Sequence, residues 1–231
     1  MKKIQINEIG EVTLKKSVRA KRLILRISAD GQAIVTIPSY VPYLVAEKFA
    51  RQHTDWFLQH KPNQPQLILN EGKRIGRSHV LMFIPKAVSK VTSRIQAGVI
   101  YISFPQGMDI LSSAVQDEAK KAAKRALKRQ AEMYLPGRLH RLAEKYNYSY
   151  SEVRIKTVQT RWGSCSNKKI INLSIWLMQL PDELIEYVLC HELTHLHHMN
   201  HQASFWQELS TMVPNFKELK KQLKTYNPTL M

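Results

Sequence analysis

Residues 191–201, His-Glu-Leu-Thr-His-Leu-His-His-Met-Asn-His, form the most informative segment of this 231-residue sequence. His191 and His195 are four positions apart, so on a helix their side chains lie on one face, one turn from each other. The segment Pro181-Asp182-Glu183 upstream places proline and acidic residues where the first turn of a helix favours them. The pattern therefore predicts a helix that begins near 181 and presents both histidines together.

This helix has the residues of a metal-dependent hydrolase. Two imidazoles at that spacing can share one tetrahedral ion, and Glu192, rotated by about 100°, can reach water on the open side of the ion. His-Glu-x-x-His is the pattern of zinc hydrolases. Glu192 also falls within an apolar arc of the helix, where an acid is costly unless it is paired or used. We predict zinc binding with Glu192 as the general base; the alternative is a core histidine pair beside a glutamate that extends to solvent.

A catalytic zinc site needs a third protein ligand, and three nearby histidines are candidates. The side chain of His197 would point to the far side of a continuing helix, and His198 could approach only if the helix ran on. His201 can reach the ion if the chain turns back near Met199-Asn200. Asparagine favours such a turn, because it tolerates left-handed backbone conformations and caps helices. We therefore predict His201, with His197 and His198 nearby but not bound.

Two strand patterns precede the helix, at 152–158 and 171–178, where apolar and polar residues alternate. Arg161-Trp-Gly-Ser-Cys-Ser166 joins them. One interpretation is a tight turn with a buried tryptophan. The other is a loop beside the metal, in which Arg161 and backbone N–H groups face an anionic or carbonyl oxygen.

A long basic helix is predicted from about 110 to 135, with a break or kink at Pro136-Gly137. Its alanines share one face. Lysines and arginines between 120 and 129 gather on the opposite face, which is either a solvated surface or a contact for polyanions.

The first third of the chain is predicted to be rich in strands, at 22–28 and 33–38 around an Asp30-Gly31 hairpin signal. A helix over 42–60 and a turn at 61–65 follow, with further strands at 66–70, 79–84 and 99–104. No internal repeat is visible in the sequence.

The combined motifs resemble the YgjP-like metallopeptidase-domain family, zincin-like metal-dependent hydrolases related to the SprT-like proteins. The resemblance covers nearly the whole chain, from Arg19-Ala-Lys-Arg22 onward. It implies a zincin-like fold, metal ligands at His191, His195 and His201, and Glu192 as the base. The matching segments are Arg161–Ser166, Asn172-Leu173, Pro181, His191–His195, Asn200-His201 and Phe205-Trp206.

The predicted fold class is α+β. An N-terminal β-rich region over 1–108 leads into a helical linker and a zincin-like catalytic domain over 109–231, in which the active-site helix packs on a small antiparallel sheet. The predicted cofactor is one Zn²⁺ per chain, with other divalent metals as alternatives.

Composition limits the classes of partner. The formal charge is +17, which attracts polyanions, so an anionic substrate or nucleic acid is a candidate partner besides a peptide substrate. No segment approaches the roughly 20 apolar residues of a membrane span. The cysteines, Cys165 and Cys190, make no disulfide framework, and we expect a cytoplasmic protein.

Three functions are consistent with these features. The main prediction is a zinc metallopeptidase with Glu192 and Arg161 as catalytic residues. The first alternative is a metal-dependent hydrolase of nucleoside triphosphate phosphoanhydrides, since a metal can also hold phosphoryl oxygens. The second is a nucleic-acid-binding protein with a structural zinc, which is disfavoured because such sites are closed by a fourth protein ligand.

Overall fold

A computed structural model describes residues 1–27, 31–60 and 67–230. The chain divides into two compact units, Met1–Gln66 and Leu67–Met231. Strands and helices occur in both, so the predicted α+β class is confirmed. Among the described residues, none of the helices combines the length and apolar character that crossing a bilayer requires.

The first unit is a four-stranded sheet followed by two helices. The strands are β1 (Lys2–Ile6), β2 (Gly10–Ser17), β3 (Ile24–Ile27) and β4 (Ala33–Pro38), and the helices are α1 (Tyr43–Gln52) and α2 (Thr54–His60). β3 and β4 pair antiparallel, as the hairpin signal predicts. Asp30 of that signal and the predicted turn at 61–65 lie outside the described residues.

The second unit begins with another four-stranded sheet. Its strands are β5 (Arg74–Ile75), β6 (His79–Lys86), β7 (Thr92–Gln96) and β8 (Val99–Pro105). The order β5-β6-β8-β7 matches the order β1-β2-β4-β3. In both sheets the two central strands are parallel and each edge strand is antiparallel to its neighbour. The chain therefore repeats one sheet topology that its sequence does not reveal. The strand predicted at 66–70 does not form over 67–70.

Helix α3 (Ser113–Lys145) runs through Pro136 without a break. The predicted break is therefore wrong, and the kink that the sequence predicted as the other outcome stays a prediction. Leu135, Leu139 and Leu142 are buried on both sides of the proline. Their burial offsets the roughly 3 kcal/mol that proline costs inside a helix. The predicted alanine face is buried and most of the basic residues between 120 and 129 are exposed.

The unit boundary differs from the sequence prediction of a division at 108/109. Leu81, Ile100 and Ile102 of the second sheet share one hydrophobic core with the alanine face of α3. Because this burial joins the sheet to the helix, the sheet belongs to the second unit, and the contacts divide the chain after Gln66 instead.

The remaining elements surround the predicted metal helix. They are β9 (Glu152–Lys156), β10 (Gly163–Cys165), β11 (Ile170–Ser174), a 3₁₀ helix (Ile175–Gln179), α4 (Asp182–Thr194), α5 (Ala203–Met212) and α6 (Phe216–Leu223). The sheet has the order β10-β11-β9.

This small sheet is mixed, whereas the sequence predicted an antiparallel one. β10 is antiparallel to β11, but β9 is parallel to β11 on its other side. β10 lies between β9 and β11 in the sequence and runs opposite to both. The chain therefore reverses direction twice, and β11 runs parallel to β9. The strand predicted over 171–178 ends at Ser174, whose hydroxyl accepts a hydrogen bond from Trp176 N and caps the 3₁₀ helix.

Candidate metal centre

Helix α4 presents the first two predicted ligands at its C-terminal end. His191 is in its last turn, and His195 is the residue that caps it. Their ring centroids are 4.9 Å apart, as expected for side chains one helical turn apart. The helix also buries its apolar side chains, which holds this end in place.

The chain turns back after α4 and brings in His201. Its Nε2 atom lies 3.0 Å from Nε2 of His191, and ligand atoms of His191, His195 and His201 all lie within 4.8 Å of one another. Nitrogens about 2.0–2.1 Å from a tetrahedral zinc ion are roughly 3.4 Å apart, so the spacing suits one ion. In the part of the chain that the structure describes, no fourth His, Cys, Asp or Glu joins this group.

Two aromatic residues of α5 support the three imidazoles. The Phe205 ring is fully buried and its centroid lies 4.7–4.9 Å from those of the three histidines. Trp206 stacks on His201, with ring centroids 5.4 Å apart, and its indole N–H donates to the His201 carbonyl at 2.9 Å. These contacts position the segment that carries His201.

Two of the imidazoles, those of His191 and His201, are in an environment that favours the neutral form. Burial lowers the pKa of His191 to about 3, and the neighbouring His195 and His201 add to the effect. Burial also lowers the pKa of His201. A neutral imidazole offers an unprotonated nitrogen to a metal, so His191 and His201 fit a divalent ion.

Glu192 is 5% exposed, and its Oε2 atom has no hydrogen-bond partner among the described residues. Burial raises the pKa of Glu192 to about 8, while the charge of Arg161 acts in the opposite direction. A buried carboxylate with a free oxygen is costly unless a cation or substrate uses it. Its environment therefore also fits a neighbouring cation.

The Arg161–Ser166 segment passes directly beside Glu192. A Cβ atom built on Gly163 would lie 2.6 Å from Glu192 Oε1 and 2.7 Å from its Cγ, so only glycine allows this approach. Trp162 is half-buried and Arg161 is exposed. The segment therefore lies next to Glu192, and the predicted contact of Arg161 with an anionic or carbonyl oxygen stays a prediction.

His197 and His198 face away from the group of three and contact Glu208 of α5. The carboxylate oxygens of Glu208 lie 2.7 Å from His197 Nδ1 and 2.6 Å from His198 Nε2. Sequence reasoning missed Glu208 as well as the role of Gly163. The sequence feature that could have drawn attention to Glu208 is that it is the single acidic residue of α5.

Comparison with known protein families gives a match over most of the chain. The sequence profile described as YgjP-like, metallopeptidase domain, matches residues 21–226, and no curated protein sequence matches the chain.

Two solved structures are similar to part of the chain. The metallopeptidase zymogen of Pyrococcus abyssi abylysin has 29% sequence identity, covering 38% of this chain and 89% of its own, with a TM-score of 0.35. The metallopeptidase zymogen of Methanocaldococcus jannaschii jannalysin has 22% identity, covering 38% of this chain and 90% of its own, with a TM-score of 0.34.

Proposed function

This chain belongs to the YgjP-like metallopeptidase family, and from that premise we propose that it is a zinc-dependent peptidase. His191, His195 and His201 bind one zinc ion per chain. The observation that carries the proposal is the convergence of their ligand atoms within 4.8 Å next to the buried carboxylate of Glu192.

The ligand set favours a catalytic ion over a structural one. Structural zinc sites are closed by four protein ligands, whereas catalytic sites have three and keep one position open. Only three candidate ligands converge among the described residues. A zinc ion held by these three histidines would act as a Lewis acid: it would lower the pKa of a water molecule to near neutral, polarise a scissile carbonyl and favour the ionised form of a nearby carboxyl group.

Glu192 is the general base. Its carboxylate accepts a proton from the attacking water and then donates that proton to the leaving amine nitrogen. The oxygen without a hydrogen-bond partner is available for this transfer. The close approach of Gly163 limits where the carboxylate can lie, so the base is held in one place before substrate binds.

Arg161 and β10 are proposed to bind the substrate. Arg161 is exposed. It lies near enough to Glu192 for its positive charge to oppose the rise that burial causes in the pKa of that carboxyl group. Its guanidinium can therefore stabilise negative charge that develops on a carbonyl oxygen. β10 is an edge strand of its sheet. An extended peptide can therefore pair with its free edge, next to Glu192.

The test is a turnover screen of the zinc-loaded protein with peptides and with nucleoside triphosphates. Peptide cleavage is expected; cleavage of triphosphates alone would instead favour the nucleotide hydrolase. Glu192→Gln is nearly isosteric but cannot accept the proton, so it should retain zinc and lose at least about 10²-fold in turnover.

The matched control is Glu183→Gln, an exposed position in the first turn of the same helix. It should keep both zinc and turnover. Activity of Glu192→Gln within about threefold of the parent would remove Glu192 from the mechanism, since general bases contribute about 10²–10⁴-fold.

A further inference from the structure

We propose that Glu208 is a positioning residue of the metal centre, which fixes the turn after α4 and through it the orientation of His195. The inference rests on the proposed function, because it concerns ligands of the proposed zinc ion. Glu208 itself does not belong to the group of three histidines.

Both carboxylate oxygens of Glu208 are used. Oε1 lies 2.7 Å from His197 Nδ1 and also accepts a hydrogen bond from the Tyr148 hydroxyl. Oε2 lies 2.6 Å from His198 Nε2. Tyr148 stacks on His197, with ring centroids 4.8 Å apart. One carboxylate thus joins α5, the turn after α4 and the segment that follows α3.

The turn held by Glu208 supplies the partner of a ligand. The main-chain carbonyl of His198 accepts a hydrogen bond from His195 Nδ1 at 2.9 Å. A proton on Nδ1 leaves Nε2 of His195 unprotonated and directed by the same bond, as metal-binding histidines require. Fixing the His198 side chain therefore fixes the carbonyl that orients His195.

His191 has no equivalent support. Its Nδ1 atom is buried and has no hydrogen-bond partner among the described residues. Of these two ligands, His195 is therefore the one whose ring is oriented by a main-chain hydrogen bond. Because both histidines of the turn bind one carboxylate, loss of that carboxylate frees the turn at two points.

The expected effect can be bounded. Loss of a residue that hydrogen-bonds directly to a metal ligand typically weakens metal affinity 10–100-fold. Glu208 acts one contact further out, so we expect a weakening of about 10-fold in Glu208→Gln. The amide keeps the size of the side chain but replaces one acceptor oxygen with a donor that faces an imidazole.

The experiment measures zinc affinity by competition with a chromophoric chelator, and the visible absorption spectrum of the cobalt-loaded protein. Glu208→Gln should bind zinc about 10-fold more weakly and show an altered cobalt spectrum. Its metal-free melting temperature should stay within about 4 °C of the parent. The matched control is Glu144→Gln, which removes an exposed His140–Glu144 pair on α3 and should change none of these.

A second variant, Tyr148→Phe, removes one donor to Glu208 and should weaken zinc binding in the same direction by a smaller factor. If Glu208→Gln fails to fold, the zinc affinity of Tyr148→Phe tests the positioning role of Glu208 in its place. If the parent binds zinc and both folded variants match its affinity and cobalt spectrum, the positioning role is wrong and the proposed function stands. If the parent binds no zinc, the proposed function fails, and the positioning role fails with it.

Discussion

Replacing Gly163 with alanine would test how the base is held, because the new methyl group has no room. It would lie 2.6 Å from Oε1, 2.7 Å from Cγ and 2.8 Å from Cδ of Glu192. The φ angle of Gly163 is not in the left-handed region, so the backbone itself can accept alanine. Any effect must therefore come from contact with the Glu192 side chain.

The size of the effect follows from these distances. An ordinary contact between heavy atoms is about 3.5 Å, so the carboxylate must move by about 0.9 Å. A 1 Å displacement of a catalytic group can cost about 10²-fold in rate. Insertion of a methyl group into a packed site costs about 1–3 kcal/mol of stability. We expect kcat/KM for a cleaved peptide to fall about 100-fold while zinc is retained.

The assay compares kcat/KM and zinc content in the parent, Gly163→Ala, Glu192→Gln and the double variant. If alanine acts by displacing the base, it should add little to the loss in Glu192→Gln, because the two changes remove the same function. Gly137→Ala is the control: its Cβ atom would come no closer than 3.9 Å to another atom, and alanine there should stabilise α3 by about 0.5–1 kcal/mol. Activity of Gly163→Ala within threefold of the parent would refute this account of the close approach.

Two further predictions concern metal binding and pH. Alanine at any one of the three ligand positions should abolish tight zinc binding in metal analysis after dialysis, whereas the exposed His140→Ala should retain it; retention of zinc by any one of the three variants would contradict the assignment of that residue as a ligand. Those positions are His191, His195 and His201. Asp182 forms an ion pair with Arg77, Nη1 to Oδ1 at 2.7 Å, and this contact lowers the pKa of Asp182. The folded-state pKa is below the unfolded value of about 3.9, so the pair stabilises the fold above that pH and its contribution is lost as pH falls through the folded-state pKa. Asp182→Asn should cost less than about 1 kcal/mol at pH 7, since the pair is partly exposed, and the difference in thermal unfolding should vanish in strong acid; a pH-independent difference would contradict the assignment.

Sequence reasoning succeeded where local periodicity determines the outcome. The position of α4, the shared face of His191 and His195 and the place of Glu192 follow from the 3.6-residue repeat of a helix and from the spacing of the motif. The buried alanine face of α3 follows from the same periodicity. These features depend on residues within one or two turns of each other, so the sequence alone contains the information.

Other features depended on longer-range packing. Proline favours a break in an isolated helix, but α3 continues because leucines on both sides of Pro136 are buried. The strand predicted over 171–178 stops at Ser174, where a side-chain cap begins a 3₁₀ helix. The repeated four-stranded topology is invisible in the sequence because strand order is set by pairing between distant segments, whose side chains need not repeat.

The amino-acid sequence by itself determined that one helix of this protein carries two histidines and a glutamate in the His-Glu-x-x-His pattern. The tertiary structure alone decided which residues surround them. From the sequence, His197, His198 and His201 are all near enough to compete for the third position; the path of the turn places His201 beside His191 and directs the other two to Glu208. Gly163 likewise meets Glu192 only because β10 packs beside α4. The physical reason is that helical periodicity acts over a few residues, whereas these contacts require a specific chain path between separate elements.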